Sequence, residues 1–184
     1  NPSFRNSLIN QGFQVEEVTL DQPVPENVDV LVLSDLKSSL SPEEFANYNA
    51  FVERGGNLII LGEPKRQAYM NPLVEVLGLR FANGILVAPS KQYLDDIIAA
   101  RITEGALNAS LYFSQLIRRG YTVITPSACA VEVVDTTKGF KISEVLATNP
   151  QGSWIEYETT DFLNDKSTID PNIGEVEKSN SVML

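Results

Sequence analysis

The sequence predicts an α/β fold in which a parallel β-α-β core is followed by a more antiparallel α+β C-terminal half. Two apolar runs carry the first part of this prediction, VDVLVLSD at residues 28–35 and NLIILGEP at residues 57–64. Strands covered on both faces are apolar throughout, and a helical segment separates these two runs. Further along, short strand-like segments next to turn residues favour antiparallel pairing.

Residues 3–11 precede this core and are predicted to form a helix that ends at Gly12. Glycine tolerates the left-handed conformation that follows a helix C-terminus. The next segment, FQVEEVTL at residues 13–20, is predicted to be a strand. Because the chain begins at Asn1 inside a helix and without methionine, we expect an excised fragment of a longer protein.

The helix between the two apolar runs has the strongest local signals. Ser41 can cap its N-terminus, Pro42 suits the first helical position and Glu44 completes a capping box. Gly55 and Gly56 end it. These residues predict a well-defined amphipathic helix between two buried strands.

A second helix and a hairpin are predicted after the second strand. Asn71 offers a cap, Pro72 a first-turn position and Gly78 a terminator for a short helix. Asn83 and Gly84 then lie at the centre of RFANGILVAP, and this dipeptide accepts positive φ at both hairpin positions. We therefore expect a β-hairpin here and a change to antiparallel structure.

The remaining chain is predicted to be α+β, with residues 107–119 helical and residues 93–103 open between helix and strand. Short strands are expected in YTVIT, EVVD, EVLAT and SWIEYE. We divide the chain into a parallel α/β core at residues 1–80 and an α+β extension at residues 81–184, which we expect to pack on the same core.

Composition excludes several classes of partner and of chemistry. The 184 residues include 14 basic and 24 acidic side chains, a net charge of −10, which argues against nucleic acid or an anionic lipid surface as partner. The chain has no histidine, so no Ser-His-Asp or Cys-His site can be built from it. No phosphate-binding loop or metal-ligand spacing is present, and no cofactor or catalytic residue is predicted. No apolar run reaches the length of a membrane span.

Three residues are candidates for ligand binding. Asp35 and Glu63 directly follow the two predicted core strands, so they can meet at one sheet edge and bind a polar ligand or hard cation, or serve as ordinary loop caps. Trp154 can line a groove for a peptide or glycan, or pack inside the protein. The single cysteine, Cys129, is expected to be a buried small hydrophobe.

Segments along nearly the whole chain resemble auxiliary proteins of ABC-type transport systems, including the gliding-motility-associated ABC transporter component. The longest is DVLVLSDLKSSLSPEEFANYNAFVERGGNLIILGEP at residues 29–64. The others follow in the order that the family shows: LINQGFQVEEVTL before it, then NPLVEVLGLRFANGILV, TPSACAVEV, GSWIEYE and the dipeptide of Gly174 and Glu175. The β-α-β portion by itself also resembles class I amidotransferase-like domains and a domain of intraflagellar transport proteins.

The resemblance implies a non-catalytic, extracytoplasmic domain of a membrane-anchored protein that acts with an ABC permease and ATPase. It implies a doubly wound, amidotransferase-like core, membrane helices outside this fragment, and a partner subunit, polymer or peptide as ligand. One alternative is an amidotransferase-like or metal-dependent hydrolase that uses Asp35, Glu63 or Cys129, although the amidotransferase triad needs a histidine that this chain lacks. Another alternative is a small-solute periplasmic receptor.

Overall fold

The computed structural model describes residues 8–34, 36–158, 161–163 and 171–184. The helices in this part of the chain are α1 (Pro42–Glu53), α2 (Gln67–Glu75) and α3 (Phe113–Arg118). The strands are β1 (Val30–Ser34), β2 (Asn57–Leu61), β3 (Leu79–Phe81), β4 (Ile85–Val87), β5 (Ile97–Ile102), β6 (Thr122–Pro126), β7 (Val131–Val133), β8 (Leu146–Ala147), β9 (Trp154–Glu156) and β10 (Ser181–Met183). Short 3₁₀ turns lie at Ile9–Gln11, Glu104–Asn108 and Thr136–Lys138.

The chain divides into two compact units. The first comprises Asn1–Val32 and Leu40–Ile59, and the second comprises Leu33–Ser39 and Ile60–Leu184. The division into residues 1–80 and 81–184 remains a prediction.

The first unit is organised around α1, and the sequence prediction for this helix is confirmed. The Ser41 hydroxyl accepts from the Glu44 backbone N–H at 3.2 Å, and the Glu44 carboxylate accepts from the Ser41 N–H at 2.7 Å. Tyr48 and Phe51 are the buried residues of α1. Arg54, just past the helix, lies over the Phe51 ring and donates to the Val24 carbonyl at 2.7 Å, which holds the preceding loop against the helix end.

The doubly wound, amidotransferase-like parallel core is not confirmed. β1 and β2 are neighbours in a two-stranded sheet, but their residues alternate between more exposed and more buried positions. Val30 and Val32 of β1 and Ile59 and Leu61 of β2 are exposed. Apolar composition indicated burial on both faces, whereas these strands bury one face more than the other. The fold is mixed α/β, and every strand pair whose register is defined in the described residues is antiparallel.

Residues 13–20, predicted as a strand, form no regular element. Phe13 and Val15 are exposed, and Leu20 is the one buried residue in this stretch. Part of the predicted first helix, residues 3–7, lies outside the described residues. Its end is a 3₁₀ turn that stops at Gly12 in the left-handed conformation.

The predicted start of α2 at Asn71 is wrong, because the helix begins at Gln67 and contains Pro72. The Asn71 side chain instead accepts from the Phe81 N–H at 2.8 Å and donates to the Phe81 carbonyl at 3.2 Å. It therefore joins α2 to β3 and caps no helix. Gly78 follows the helix with φ of 82°.

The hairpin predicted around Asn83 and Gly84 is also wrong. β3 pairs with β7 and β4 pairs with β9, both antiparallel, so the two strands flanking the turn take separate and more distant partners. Gly84 does have positive φ, but the turn connects two sheets and does not close one.

The second unit contains a four-stranded sheet with the order β10-β8-β5-β6. The open choice between helix and strand at residues 93–103 is decided by β5, which alternates between buried and half-buried residues. Its buried side packs in an apolar core formed by Ala82, Leu86, Ile98, Ala100, Ile102, Ala106, Ala130, Val145, Leu146 and Ile155. The antiparallel character predicted for the C-terminal half is confirmed.

Within the described residues, no helix is long and apolar enough to cross a bilayer.

Candidate functional site

The candidate site is built on β9, whose three residues are all buried. β9 pairs antiparallel with β4, with Trp154 opposite Val87 and Glu156 opposite Ile85. Because side chains alternate along a strand, Trp154 and Glu156 lie on the same side of β9. Each is only 2% exposed, so the strand places a carboxyl group inside the protein beside an indole.

A second buried carboxyl group, that of Glu175, meets Glu156. Its Oε1 accepts from the Tyr157 backbone N–H at 2.8 Å and its Oε2 accepts from the Asn172 N–H at 2.7 Å. The Glu175 N–H also donates to the Asn172 carbonyl at 3.0 Å, which closes a turn. Glu156 and Glu175 hydrogen-bond each other through their side chains. We call these two residues the buried carboxyl pair.

The pKa values of the two carboxyl groups are shifted in opposite directions. Burial raises the pKa of Glu156 above its ordinary value of 4.5, and the neighbouring Glu175 adds to the rise. Burial also opposes ionisation of Glu175, but the N–H groups of Tyr157 and Asn172 and the hydrogen bond from Glu156 outweigh it and lower the pKa of Glu175. Of the two carboxyl groups, Glu156 is therefore the more easily protonated and Glu175 the more easily ionised.

Trp154 adds an unsatisfied donor beside the pair. Its Nε1 is buried and has no hydrogen-bond partner among the residues that the structure describes. The indole N–H is close enough to the Glu156 carboxyl to oppose the rise in its pKa, although it lies outside hydrogen-bonding geometry. Glu156 Oε1 accepts instead from the Glu158 backbone N–H at 3.1 Å.

The pair joins the two ends of one chain segment. Tyr157 and Glu158 donate at the end that leaves β9, while Asn172 and Glu175 lie where the chain returns. Backbone hydrogen bonds to the two carboxyl groups therefore join the ends of this segment. Both carboxyl groups are buried and both accept hydrogen bonds, so this arrangement suits holding these two parts of the chain together better than proton exchange with a substrate.

Gly84 completes the packing around Glu156. It has φ of 100°, and a Cβ added there would lie 2.5 Å from the Glu156 carbonyl oxygen. Buried Gln67 donates to the Ala82 carbonyl at 3.1 Å, just before this turn. The turn after β3 thus passes directly over the backbone of β9, which requires glycine at residue 84.

The predicted ligand residues have different positions. Asp35 lies outside the described residues. Glu63 is exposed in the turn after β2, where its carbonyl accepts from the Arg66 N–H at 3.0 Å. Trp154 is buried, which agrees with the packing alternative. Ligand binding by these three residues remains a prediction.

Glu156 and Glu175 were not predicted as site residues, although both lie in segments that carry the family resemblance. The available signal was an acidic residue inside the apolar stretch SWIEY, at a position that a three-residue strand buries with its neighbours. Nothing in the spacing indicated its partner, because the two residues are joined only by tertiary structure.

Cys129 is buried, as the sequence predicted, and is 5% exposed. Burial raises the pKa of its thiol to about 11, and the negative charge of Glu63 contributes to the rise. The thiol is therefore protonated at neutral pH and is a poor nucleophile. Among the described residues, no three His, Cys, Asp or Glu side chains come together in a way that could hold a metal ion.

The chain matches the model of a known protein family. The family described as ABC-type uncharacterized transport system (ABC_transp_aux) matches residues 2–95, about half of the chain. This chain belongs to that family. It is thus an auxiliary component of an uncharacterized ABC transport system, which places it in the context of a membrane transporter.

No curated protein sequence matches the chain. A solved structure titled "mmIFT52 N-terminal domain" is similar, with a TM-score of 0.49 and 14% sequence identity. The similarity covers 68% of this chain and 54% of the other. The chain thus spans about half the length of that structure.

Proposed function

We propose that this chain is a non-catalytic accessory domain that binds a companion protein or a transported polymer on the extracytoplasmic side of an ABC-type export system of the gliding-motility kind. Membership of the ABC transport family supports the transporter context. In this proposal the companions are a permease and an ATPase subunit, and the membrane anchor belongs to segments outside the 184 residues.

The observation that carries the non-catalytic proposal is the inward position of the reactive groups. The buried carboxyl pair uses its hydrogen-bonding capacity on itself and on backbone N–H groups. The Cys129 thiol is buried and protonated at neutral pH. Groups in this state hold the fold together and do not meet a substrate.

Exposed apolar side chains support the proposed binding role. Tyr121 and Ile124 in and beside β6 are exposed, as are Val30 and Val32 of β1. Apolar side chains exposed on strands are typical of surfaces that meet another protein. A chain with buried reactive groups and exposed apolar strands is suited to binding.

Asp35 and Glu63 are proposed as polar contacts of the ligand, because Asp35 directly follows β1 in sequence and Glu63 comes two residues after the end of β2. Trp154 contributes indirectly in this proposal, since the indole is buried and packs beside the carboxyl pair.

The test is to purify the full-length parent protein from its native membrane in mild detergent and to identify stoichiometric companions by mass spectrometry. We expect an ABC permease and an ATPase. The matched control is an unrelated membrane-anchored protein of similar abundance, carrying the same tag. Recovery of the parent without transporter subunits, or nucleotide hydrolysis by the purified 184-residue chain, would refute the proposal.

A further inference from the structure

The outer edge of β6 carries backbone groups that no described strand pairs with. β6 is the last strand in the order β10-β8-β5-β6. The Ser127 N–H donates to the Asp96 carbonyl at 2.8 Å, and this pair sets the alternation of hydrogen bonds between β5 and β6. It follows that the N–H and C=O groups of Thr122 and Ile124 point away from β5, toward the free edge.

An apolar groove adjoins this edge. We define the β6 groove as the groove of about 530 Å³ lined by Leu94, Asp96, Ile97, Pro126, Asp161, Phe162 and Leu163. Ile97 lies opposite Pro126 in the sheet register, and Ile124 is on the same face as Pro126. The Ile124 side chain is 44% exposed, so the groove's apolar lining continues along the strand edge.

Asp96 brings to the β6 groove a carboxylate oxygen that lacks a hydrogen-bond donor among the described residues. Its Oδ2 accepts from the Ser127 hydroxyl at 2.6 Å, while Oδ1 is buried and lacks a hydrogen-bond partner in the described part of the chain. Ser127 is held with φ of 48°, an unusual conformation for a residue other than glycine. A buried carboxylate oxygen without a partner is unfavourable, and a bound cation or N–H group would satisfy it.

We propose that the β6 edge and the β6 groove bind an extended segment of a partner protein by β-strand addition, with a Lys or Arg of that segment donating to Asp96 Oδ1. Main-chain hydrogen bonds to Thr122 and Ile124 supply the pairing, and apolar side chains at alternate positions enter the groove. The proposal deepens the proposed function and rests on it, because the partner is taken to be a companion of the transport system.

The negative charge of the chain favours a basic segment of a partner protein over a second copy of the chain as the occupant of the β6 groove. The net charge is −10, and both acidic residues of the β6 groove, Asp96 and Asp161, are of the same sign. Two copies that paired edge to edge would bring like charges together, whereas a basic segment is attracted.

The test uses the 184-residue chain and two synthetic peptides. One has Val alternating with Thr around a central Lys, and the other has norleucine in place of that Lys. Binding is measured by fluorescence anisotropy, and amide hydrogen exchange is followed by NMR. We expect the Lys peptide to bind about tenfold more tightly, as a charge-assisted hydrogen bond predicts. We expect the Thr122 and Ile124 amides to exchange more slowly in the complex.

Three variants sharpen the result. Asp96→Asn keeps the acceptor for Ser127 and should remove the preference for the Lys peptide. Ile124→Lys should prevent binding, because a lysine on an edge strand repels a basic segment and covers the edge. Leu111→Lys, at another exposed apolar residue of the same unit, is the control and should bind as the parent does.

Absence of binding, binding without protection of Thr122 and Ile124, a Lys preference that survives in Asp96→Asn, or dimerisation through this edge in sedimentation would each overturn the proposal. The peptide experiment requires no companion subunit. Failure to co-purify the transporter with positive peptide binding would therefore refute the transport role and leave the docking surface in place.

Discussion

The two acidic sites of the second unit differ in how their carboxylate oxygens are satisfied. In the buried carboxyl pair, both oxygens of Glu175 accept backbone N–H groups, and Glu156 accepts from the Glu158 N–H. At the β6 edge, Asp96 Oδ1 has no partner within the described residues. A carboxylate with all its partners inside the fold stabilises that fold, whereas a buried oxygen without a partner is a cost to it, which the proposed contact with a Lys or Arg would remove.

The largest expected effect comes from breaking the buried carboxyl pair. Glu175→Ala leaves the N–H groups of Tyr157 and Asn172 without their acceptor and Glu156 without its partner. We expect a loss of about 3 kcal/mol in the free energy of unfolding, measured by urea denaturation. Glu158→Ala, which removes an exposed side chain and keeps the backbone donor, is the matched control and should change stability by less than about 0.5 kcal/mol. Equal effects of the two substitutions would contradict the assignment.

The next effect tests the close approach of Gly84 to β9. Gly84→Ala places a Cβ 2.5 Å from the Glu156 carbonyl oxygen at positive φ, so the backbone must shift. Gly139→Ala has a similar φ of 82° with nothing within 4 Å of the added Cβ. We expect Gly139→Ala to cost about 1 kcal/mol and Gly84→Ala about 2 kcal/mol more, measured by thermal unfolding. Similar costs would show that the turn does not pack against the pair.

A smaller, pH-dependent effect is expected for Glu156→Gln. The pKa of Glu156 is raised in the folded protein, so its contribution to stability is present below the ordinary range of glutamate and is lost as pH rises through the folded-state pKa. The Gln variant lacks this loss. Its stability relative to the parent should therefore increase as pH rises from about 4 to about 7, measured by urea unfolding at each pH.

Glu175 supplies the internal check on that measurement. Its pKa is lowered, so its contribution is present above the ordinary glutamate range and is lost as pH falls through the folded-state pKa. Both the parent and Glu156→Gln should keep this acid-side decrease. Stability curves of the two proteins that stay parallel over the whole pH range would contradict the raised pKa of Glu156.

The smallest change concerns Cys129, close in sequence to the β6 edge. Because its thiol is 5% exposed and has a pKa of about 11, a thiol reagent at neutral pH should label the native chain far more slowly than the urea-unfolded chain. Rapid native labelling would favour the hydrolase alternative, in which Cys129 acts as a nucleophile.

Addition of Mg²⁺ or Ca²⁺ should leave the melting temperature of the chain unchanged, whereas a rise in the melting temperature would favour a metal-dependent enzyme.

Sequence reasoning succeeded where the signals were local. The capping box of Ser41 and Glu44 depends on residues three apart, and the structure shows both of its hydrogen bonds. β6 and β9 were likewise placed correctly, because short runs of β-branched and aromatic residues between turn residues are sufficient to indicate strands. The family resemblance also identified the correct relationship.

Predictions from the sequence failed where a local pattern indicated one partner and the tertiary structure supplied another. Asn83 and Gly84 indicated a hairpin, yet β3 and β4 pair with β7 and β9, which lie far along the chain. Asn71 indicated a helix cap, yet its amide is engaged by Phe81. In both cases a contact made in the tertiary structure replaced the hairpin or helix cap that the local sequence favoured.

The sequence by itself determined the capped helix α1, several of the short strands, the lack of histidine and the net charge of −10. Only the tertiary structure decided which strands pair, which face of β1 and β2 is exposed, and that Glu156 meets Glu175. The reason is that propensity and capping act over a few residues, whereas strand pairing and the meeting of two carboxyl groups depend on distances between residues far apart in the chain.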